Sequence, residues 1–256
     1  KMGFDLMNWC NDNNHTSKRV AVSKKWIDDI IGTKGKDTSR TYFTIEEYNK
    51  LLKVSRSRIK NVVNNHSLTI FRREYLHQFI IFMVHSGLRT GEALNLKWKD
   101  VKFVDKGIKL DRKKYCELNV SGKTGARDGV ITMFGSYFAL KKIMAIKGIK
   151  SINDTSVAMS SVFSQKFRRG LNDLLDAANL KTQQYGDRNL TRDSKSFRST
   201  YISWELIKGD LPLLAIARNV GTSLPVMNNF YSKYVELKTF KKQLSEVSNV
   251  SKLYQQ

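Results

Sequence analysis

The stretch Ser86-Gly-Leu-Arg-Thr-Gly-Glu-Ala-Leu-Asn-Leu-Lys-Trp98, closed by Asp100, decides how this chain is read. Gly87 is placed to stop the helix before it, because glycine takes the left-handed conformation that ends helices. Arg89 then falls between a helix stop and the next helix start, so the backbone is held while the guanidinium reaches outward. A planar guanidinium donates two parallel hydrogen bonds to a phosphate and never loses its charge. Glu92, three residues on, can orient it. A lone Gly-Leu-Arg is far more often a loop arginine paired to its own helix, so other parts of the chain must carry the argument.

Working outward, Ile70 to Val84 is dense in apolar residues and reads as a buried helix that Gly87 ends. Thr44-Ile-Glu-Glu47 is a capping box that opens an earlier helix with Tyr48, Leu51 and Leu52 on its apolar side. On the other flank, Val101–Leu110, Tyr115–Val120 and Gly129–Met133 favour strands, with Ser121-Gly-Lys-Thr-Gly125 as a glycine-punctuated turn. Helices are expected again over about 135–148, 163–178, 196–208, 212–219 and 224–235. Pro212 and Pro225 each suit a first helical turn, where the missing N–H costs nothing. The pattern is mainly α with one small antiparallel β-sheet. Residues 1–40 read as the end of another module plus a linker, being rich in turn-formers around a short apolar run (Trp26, Ile27, Ile30, Ile31).

The chain has 256 residues, with 45 Lys+Arg against 23 Asp+Glu and a formal net charge of +22. Such a surface invites a polyanion, because neutralising phosphates releases condensed counterions. Thirteen Phe, ten Tyr and four Trp are enough to build a core without disulfide or metal staples. Cys10 and Cys116 are too isolated for a disulfide framework, the four His lack ligand spacing, and the acidic residues do not cluster as a two-metal nuclease requires. No metal and no cofactor is expected. No apolar run is long enough to span a membrane and no signal peptide is evident. The chain opens at Lys1 without an initiator Met, which points to a trimmed N-terminus. A reducing cytoplasm is the expected compartment.

Cutting a phosphodiester without a metal needs a nucleophile, an acid for the leaving oxygen and fixed positive charge around the phosphate. Besides Arg89, Gly122-Lys-Thr-Gly125 offers Lys123 on a hairpin tip that can enter a groove and give up a proton. Lys195-Ser-Phe-Arg198 opens an apolar-striped helix, with both cations on one face near its N-terminus. Val220-Gly-Thr-Ser-Leu-Pro-Val-Met-Asn-Asn-Phe-Tyr231 supplies a tyrosine, whose phenol needs nearby cations to ionise. Taken singly, each has an ordinary structural explanation.

Together and in this order, the four pieces resemble the tyrosine recombinase (phage integrase) family over roughly residues 40–235. The resemblance implies the catalytic-domain fold of that family (α+β, of the DNA breaking-rejoining type). It implies that Arg89 and Arg198 clamp the scissile phosphate, and that Lys123 protonates the 5′-hydroxyl leaving group. Lys195 stands where His or Lys assists proton transfer. Tyr231 attacks to give a 3′-phosphotyrosine, with Tyr234, three residues too far from Gly221, as a rival. The chain departs from the family at Thr222, where His or Trp is usual, and at Ser199, where many relatives have His. A threonine hydroxyl can donate a hydrogen bond but cannot shuttle a proton near neutral pH.

The expected domains are therefore 1–40, the end of a core-binding domain and linker; 41–235, the catalytic domain; and 236–256, an amphipathic tail helix striped by Leu237, Phe240, Leu244, Val247, Val250 and Leu253. The resemblance implies double-stranded DNA at recombination sites as the partner, bound as a homotetramer with accessory DNA-bending proteins and with tail contacts between protomers, although the tail stripe suits docking on its own core equally well. The setting would be a bacterial host cytoplasm. An integrase of a phage or mobile element fits best. A DNA-binding relative with weak or lost catalysis, or a strand transferase of the telomere-resolvase or type IB topoisomerase kind, are the rival readings.

Overall fold

A computed structural model describes residues 41–106, 113–122, 125–164, 167–185 and 188–230. The N-terminal module expected over 1–40 and the tail helix expected over 236–256 lie outside the described residues.

Helix α1 (Ile45–Lys60) opens as its sequence predicts. The Glu47 N–H donates to Thr44 Oγ1 at 3.2 Å and the Thr44 N–H to Glu47 Oε2 at 3.0 Å. Helix α2 (Ser67–Ser86) starts three residues before the expected Ile70, where His66 Nδ1 accepts the Thr69 N–H. Phe79, Ile80, Phe82, Met83 and Val84 are fully buried, and in its second half only Gln78, Ile81 and His85 are partly exposed. Each fully buried side chain stabilises by about 1.5–3 kcal/mol, which makes α2 the axis of the domain. Gly87 ends it with φ 63°, its N–H donating to Met83 O at 3.2 Å. A Cβ there would lie 2.5 Å from the Tyr201 ring, so glycine is required by conformation and by space at once.

Helix α3 (Thr90–Asn95) follows, then strands β1 (Val101–Lys106), β2 (Lys113–Gly122) and β3 (Gly125–Ile131). They form an antiparallel sheet in the order β1-β2-β3. β3 begins four residues before the expected Gly129, because pairing continues to Gly122↔Gly125 and leaves only residues 123–124 at the tip. A register shift between Leu118 and Val120 is filled by Asn119, whose Oδ1 accepts the Gly129 N–H at 3.2 Å. Helix α4 (Phe134–Ile146) packs across α2: Ser136 Oγ donates to Phe82 O at 3.3 Å.

The short α5 (Thr155–Ala158) leads to α6 (Arg168–Ala177), which starts later than the expected 163. Val162 and Phe163 are instead non-helical and held against α2: Tyr75 Oη donates to Val162 O, and Phe163 meets Phe79 edge-on at 5.1 Å. Phe167 lies flat on Phe79 at 4.1 Å. Strands β4 (Thr182–Tyr185) and β5 (Arg188–Thr191) make a second small antiparallel sheet among the described residues, beside the one expected from sequence. Helices α7 (Ser194–Lys208), α8 (Leu213–Val220) and α9 (Leu224–Phe230) complete the described chain. Pro212 is the N-cap of α8 and precedes its first turn.

Arg192 binds the start of the domain to this second half. It is 1% exposed and its Nη2 donates to Glu47 Oε2 and Gln183 Oε1 at 2.7 Å each, and to Tyr42 O at 3.1 Å. Its guanidinium also lies 4.6 Å from the Phe43 ring centroid. The small apolar cluster of Tyr201, Ile202, Ile216, Ala217, Val220 and Met227 packs α7, α8 and α9 together. No helix among the described residues is long and apolar enough to cross a membrane.

Candidate active site

Arg89 and Arg198 are 109 residues apart in sequence, and the fold fastens them to adjacent carbonyls. Arg198, 5% exposed on the inner side of α7, donates from Nη1 to Gly87 O at 2.8 Å and Val220 O at 2.7 Å. Arg89, the N-cap of α3, donates from Nη2 to Gly221 O. The stop of α2 and the stop of α8 thus hold the two guanidiniums at one place.

Glu92 fixes the arrangement from beneath. It is 3% exposed; its Oε1 accepts Arg89 Nη1 at 2.7 Å and its Oε2 accepts the Arg89 N–H at 2.9 Å. A second cation joins it: Arg127 Nη2, on β3, lies 2.8 Å from Glu92 Oε2. Burial alone would raise the Glu92 pKa, but the hydrogen bonds from Arg89 and the charges of Arg127 and Arg89 outweigh it and hold the carboxyl below its ordinary value. One buried carboxylate thereby sets the positions of two arginines.

Arg127 also reaches the far wall, donating from Nη1 to Asn219 O at 2.5 Å. Gly221, at φ 68°, lets the chain pass over it: a Cβ would come within 2.5 Å of Arg127 Nε. Asn219 completes the seam, accepting the Ile131 N–H and donating to Ile131 O at 2.9 Å each. These bonds tie the hairpin to the end of α8. Neither Arg127 nor Asn219 was singled out from sequence. Nothing in the alternation of β3 distinguishes an inward arginine from a solvated one.

Among the remaining sequence candidates, Lys195 is exposed on the first turn of α7, its N–H donating to Asp193 Oδ1 at 2.8 Å. Thr90 Oγ1 donates to Ser194 Oγ at 2.9 Å and so joins the starts of α3 and α7, which brings the Lys195 turn beside Arg89. Thr222 is half-buried directly after Gly221, its N–H closing on Ala217 O at 2.9 Å. Ser199 is buried, its hydroxyl donating back to Lys195 O. Lys123 lies outside the described residues, but its neighbour Gly122 packs on Glu92, whose Cγ is 3.0 Å from where a Cβ would stand. Tyr231 and Tyr234 also lie outside them; α9 is described to Phe230, one residue short of Tyr231. Tyr201, the described tyrosine beside the arginines, is an unsuitable nucleophile. Burial, then the charge of Glu205, pushes its phenol up to about 12, and its oxygen accepts from Asn219 at 3.0 Å. Among the described residues no three His, Cys, Asp or Glu gather as a metal-binding group.

This arrangement of helices and small antiparallel sheets around paired arginines is the tyrosine recombinase catalytic-domain fold. Three solved structures show the likeness. One is the XerH site-specific recombinase bound to palindromic difH substrate in a post-cleavage complex, at TM-score 0.58 and 16% identity over 94% of this chain and 64% of that one. Another is the Tn1549 transposon integrase in complex with transposon right end DNA, at TM-score 0.52 and 13% identity over 95% and 84%. The third is a lambda integrase dimer bound to a COC′ core site, at TM-score 0.50 and 16% identity over 90% and 70%. The chain spans 51% to 64% of the length of the XerH chains it matches. No family model matches the sequence, and a search of curated protein sequences finds no match.

Proposed function

We propose that this chain is a site-specific DNA recombinase, an integrase of a phage or mobile element. It cleaves and rejoins double-stranded DNA through a 3′-phosphotyrosine on Tyr231, exchanging strands between two sites. One observation carries the reading: Arg198 and Arg89 are held on the successive carbonyls of Val220 and Gly221, in the turn that leads into the helix preceding Tyr231.

In this mechanism Arg89 and Arg198 donate to the non-bridging oxygens of the scissile phosphate and stabilise the charge that develops there. Tyr231 gives its phenol proton to solvent as its Oη bonds to phosphorus, and the 5′ oxygen leaves with a proton from Lys123. Lys195 assists that proton transfer and Thr222 donates a hydrogen bond to a phosphate oxygen. The 5′-hydroxyl of a partner strand then attacks the phosphotyrosine and frees the phenol, so no metal or nucleotide is consumed. The partners that go with this reading are two recombination sites held by a homotetramer, tail contacts between protomers, and accessory DNA-bending proteins. The setting is a bacterial cytoplasm.

The test is a duplex nicked near the cleavage point, which traps the covalent adduct. Wild-type protein should form the adduct, Tyr231→Phe should not, and Tyr234→Phe should still do so. DNA binding without an adduct would instead support the catalytically lost relative that Thr222 allows. Relaxation of supercoiled plasmid without a target site would support a topoisomerase-like transferase.

A further inference from the structure

At the end of α2 remote from Arg89, four arginines surround one cleft. Arg58 from the last turn of α1, Arg72 and Arg73 from the second turn of α2, and Arg169 from the first turn of α6 line a space of about 620 Å³, with Asp173 as the carboxylate among them. Among the described residues none of the four arginines is in a salt bridge, and Arg72 and Arg169 are exposed. Arg73 Nη1 is turned onto the Arg58 carbonyl, which brings the two cations together. Burial, and after it repulsion by Arg73, lowers the Arg58 pKa, with Asp173 pulling the other way. A group of like charges held this closely is relieved by an anion, and arginine forks match phosphate oxygens in particular.

A second cleft lies on the other side of Phe167, toward the starts of α3 and α7. Phe167 forms part of the wall of both, and Thr90 and Ser194 also line the second, of about 540 Å³. Arg168 and Lys181 face that second cleft while Arg169 faces the first. From Arg73 to Gly87 is fourteen residues along α2, about 21 Å at the helical rise of ~1.5 Å per residue. A single phosphate cannot occupy both ends; a duplex can, since this distance is roughly six base pairs at ~3.4 Å each.

We infer that the cleft of Arg58, Arg72, Arg73 and Arg169 is a second phosphate-binding site, which grips the DNA backbone about six base pairs from the phosphate held by Arg89 and Arg198. This rests on the recombinase reading for the position of the DNA, and the measurements below separate the two. Arg72 and Arg169 are exposed and make no ion pair among the described residues, so Arg72→Ala/Arg169→Ala should fold like the wild type. Binding to a labelled 40-base-pair duplex is measured across a salt series for both proteins. Each arginine on a phosphate contributes about one unit to the slope of log K against log salt. The slope of the double variant should therefore be about two units shallower, with weaker binding at low salt.

An unchanged slope and affinity overturn the cleft. If the wild type forms the covalent adduct on the nicked duplex while the slope is unchanged, the cleft alone fails and the recombinase reading stands. If no adduct forms but the slope falls, the cleft stands and the recombinase reading fails. A cleft built for free phosphate would show as a Tm rise with inorganic phosphate in the wild type only, with no change in DNA slope. That result would overturn the assignment to DNA.

Discussion

Glu92 is the residue on which the candidate site is most dependent, because one carboxylate holds both Arg89 and Arg127. Glu92→Gln keeps the shape and removes the charge. Removing one partner of a buried ion pair costs about 3–5 kcal/mol; with the two guanidiniums 35% and 20% exposed, about 1–3 kcal/mol is expected here. Adduct formation should slow by up to about a hundredfold, as for a phosphate-binding group displaced by an ångström. The effect on stability has a definite sign. The folded pKa of Glu92 lies below its ordinary 4.5, so its contribution is complete above that pH and is lost as pH falls below it. The gap in Tm between wild type and Glu92→Gln should therefore close under acid, and a gap that persists undiminished would refute the charge argument. Thr222 predicts a milder outcome. Losing one neutral hydrogen bond, about 0.5–1.5 kcal/mol, should slow cleavage by Thr222→Ala no more than about tenfold; a collapse to background would mean that the hydroxyl does more than donate.

Among the elements, α2 is the most exposed to pH because it buries two histidines. His77 Nδ1 contacts Ser55 Oγ at 2.9 Å, and His85 is enclosed by Tyr48 and Phe134, with centroids at 6.4 and 5.6 Å. Burial, reinforced at His77 by Arg56, lowers both to about 4. Each is neutral in the fold and charges on unfolding, so its contribution is intact above the ordinary 6.5 and declines as pH falls from there toward 4. The Tm should drop across that window, and His85→Phe should flatten the drop. Parallel Tm curves for the two proteins would show that His85 is not responsible.

The same helix shows what was legible beforehand. Its apolar density, the Thr44–Glu47 cap before it and the Gly87 stop are local chemistry, and they placed α1, α2 and Arg89 correctly. The polar segment Thr182–Thr191 has no apolar alternation, so the β4–β5 pair could not be read. Arg127, Asn219 and Arg192 act on partners 92, 88 and 145 residues away, and a hydrogen bond of that range leaves no trace in spacing. The motifs offered the candidate reacting groups; the residues packed around them show only in three dimensions.

At the scale of the whole molecule, the two kinds of positive charge should separate in experiment. The net charge of +22 comes from 45 Lys and Arg against 23 Asp and Glu, and the cations on the surface should govern how tightly any DNA is held. With 6–10 phosphates neutralised, affinity should fall by about 10³–10⁵ between 50 and 200 mM salt. Arg198 belongs to the other kind. It is buried and spans Gly87 O and Val220 O, a task for which a fork is needed and an ammonium is too compact. Arg198→Lys preserves the total charge, so its salt slope on a long duplex should change by no more than about one unit. Its yield of covalent adduct should nevertheless fall by a factor on the order of 10²–10³, the cost of removing one fixed donor from a developing oxyanion. Adduct formation and binding falling together would mean that Arg198 acts as one more surface cation; binding retained while cleavage is lost would place it among the groups that carry out the chemistry.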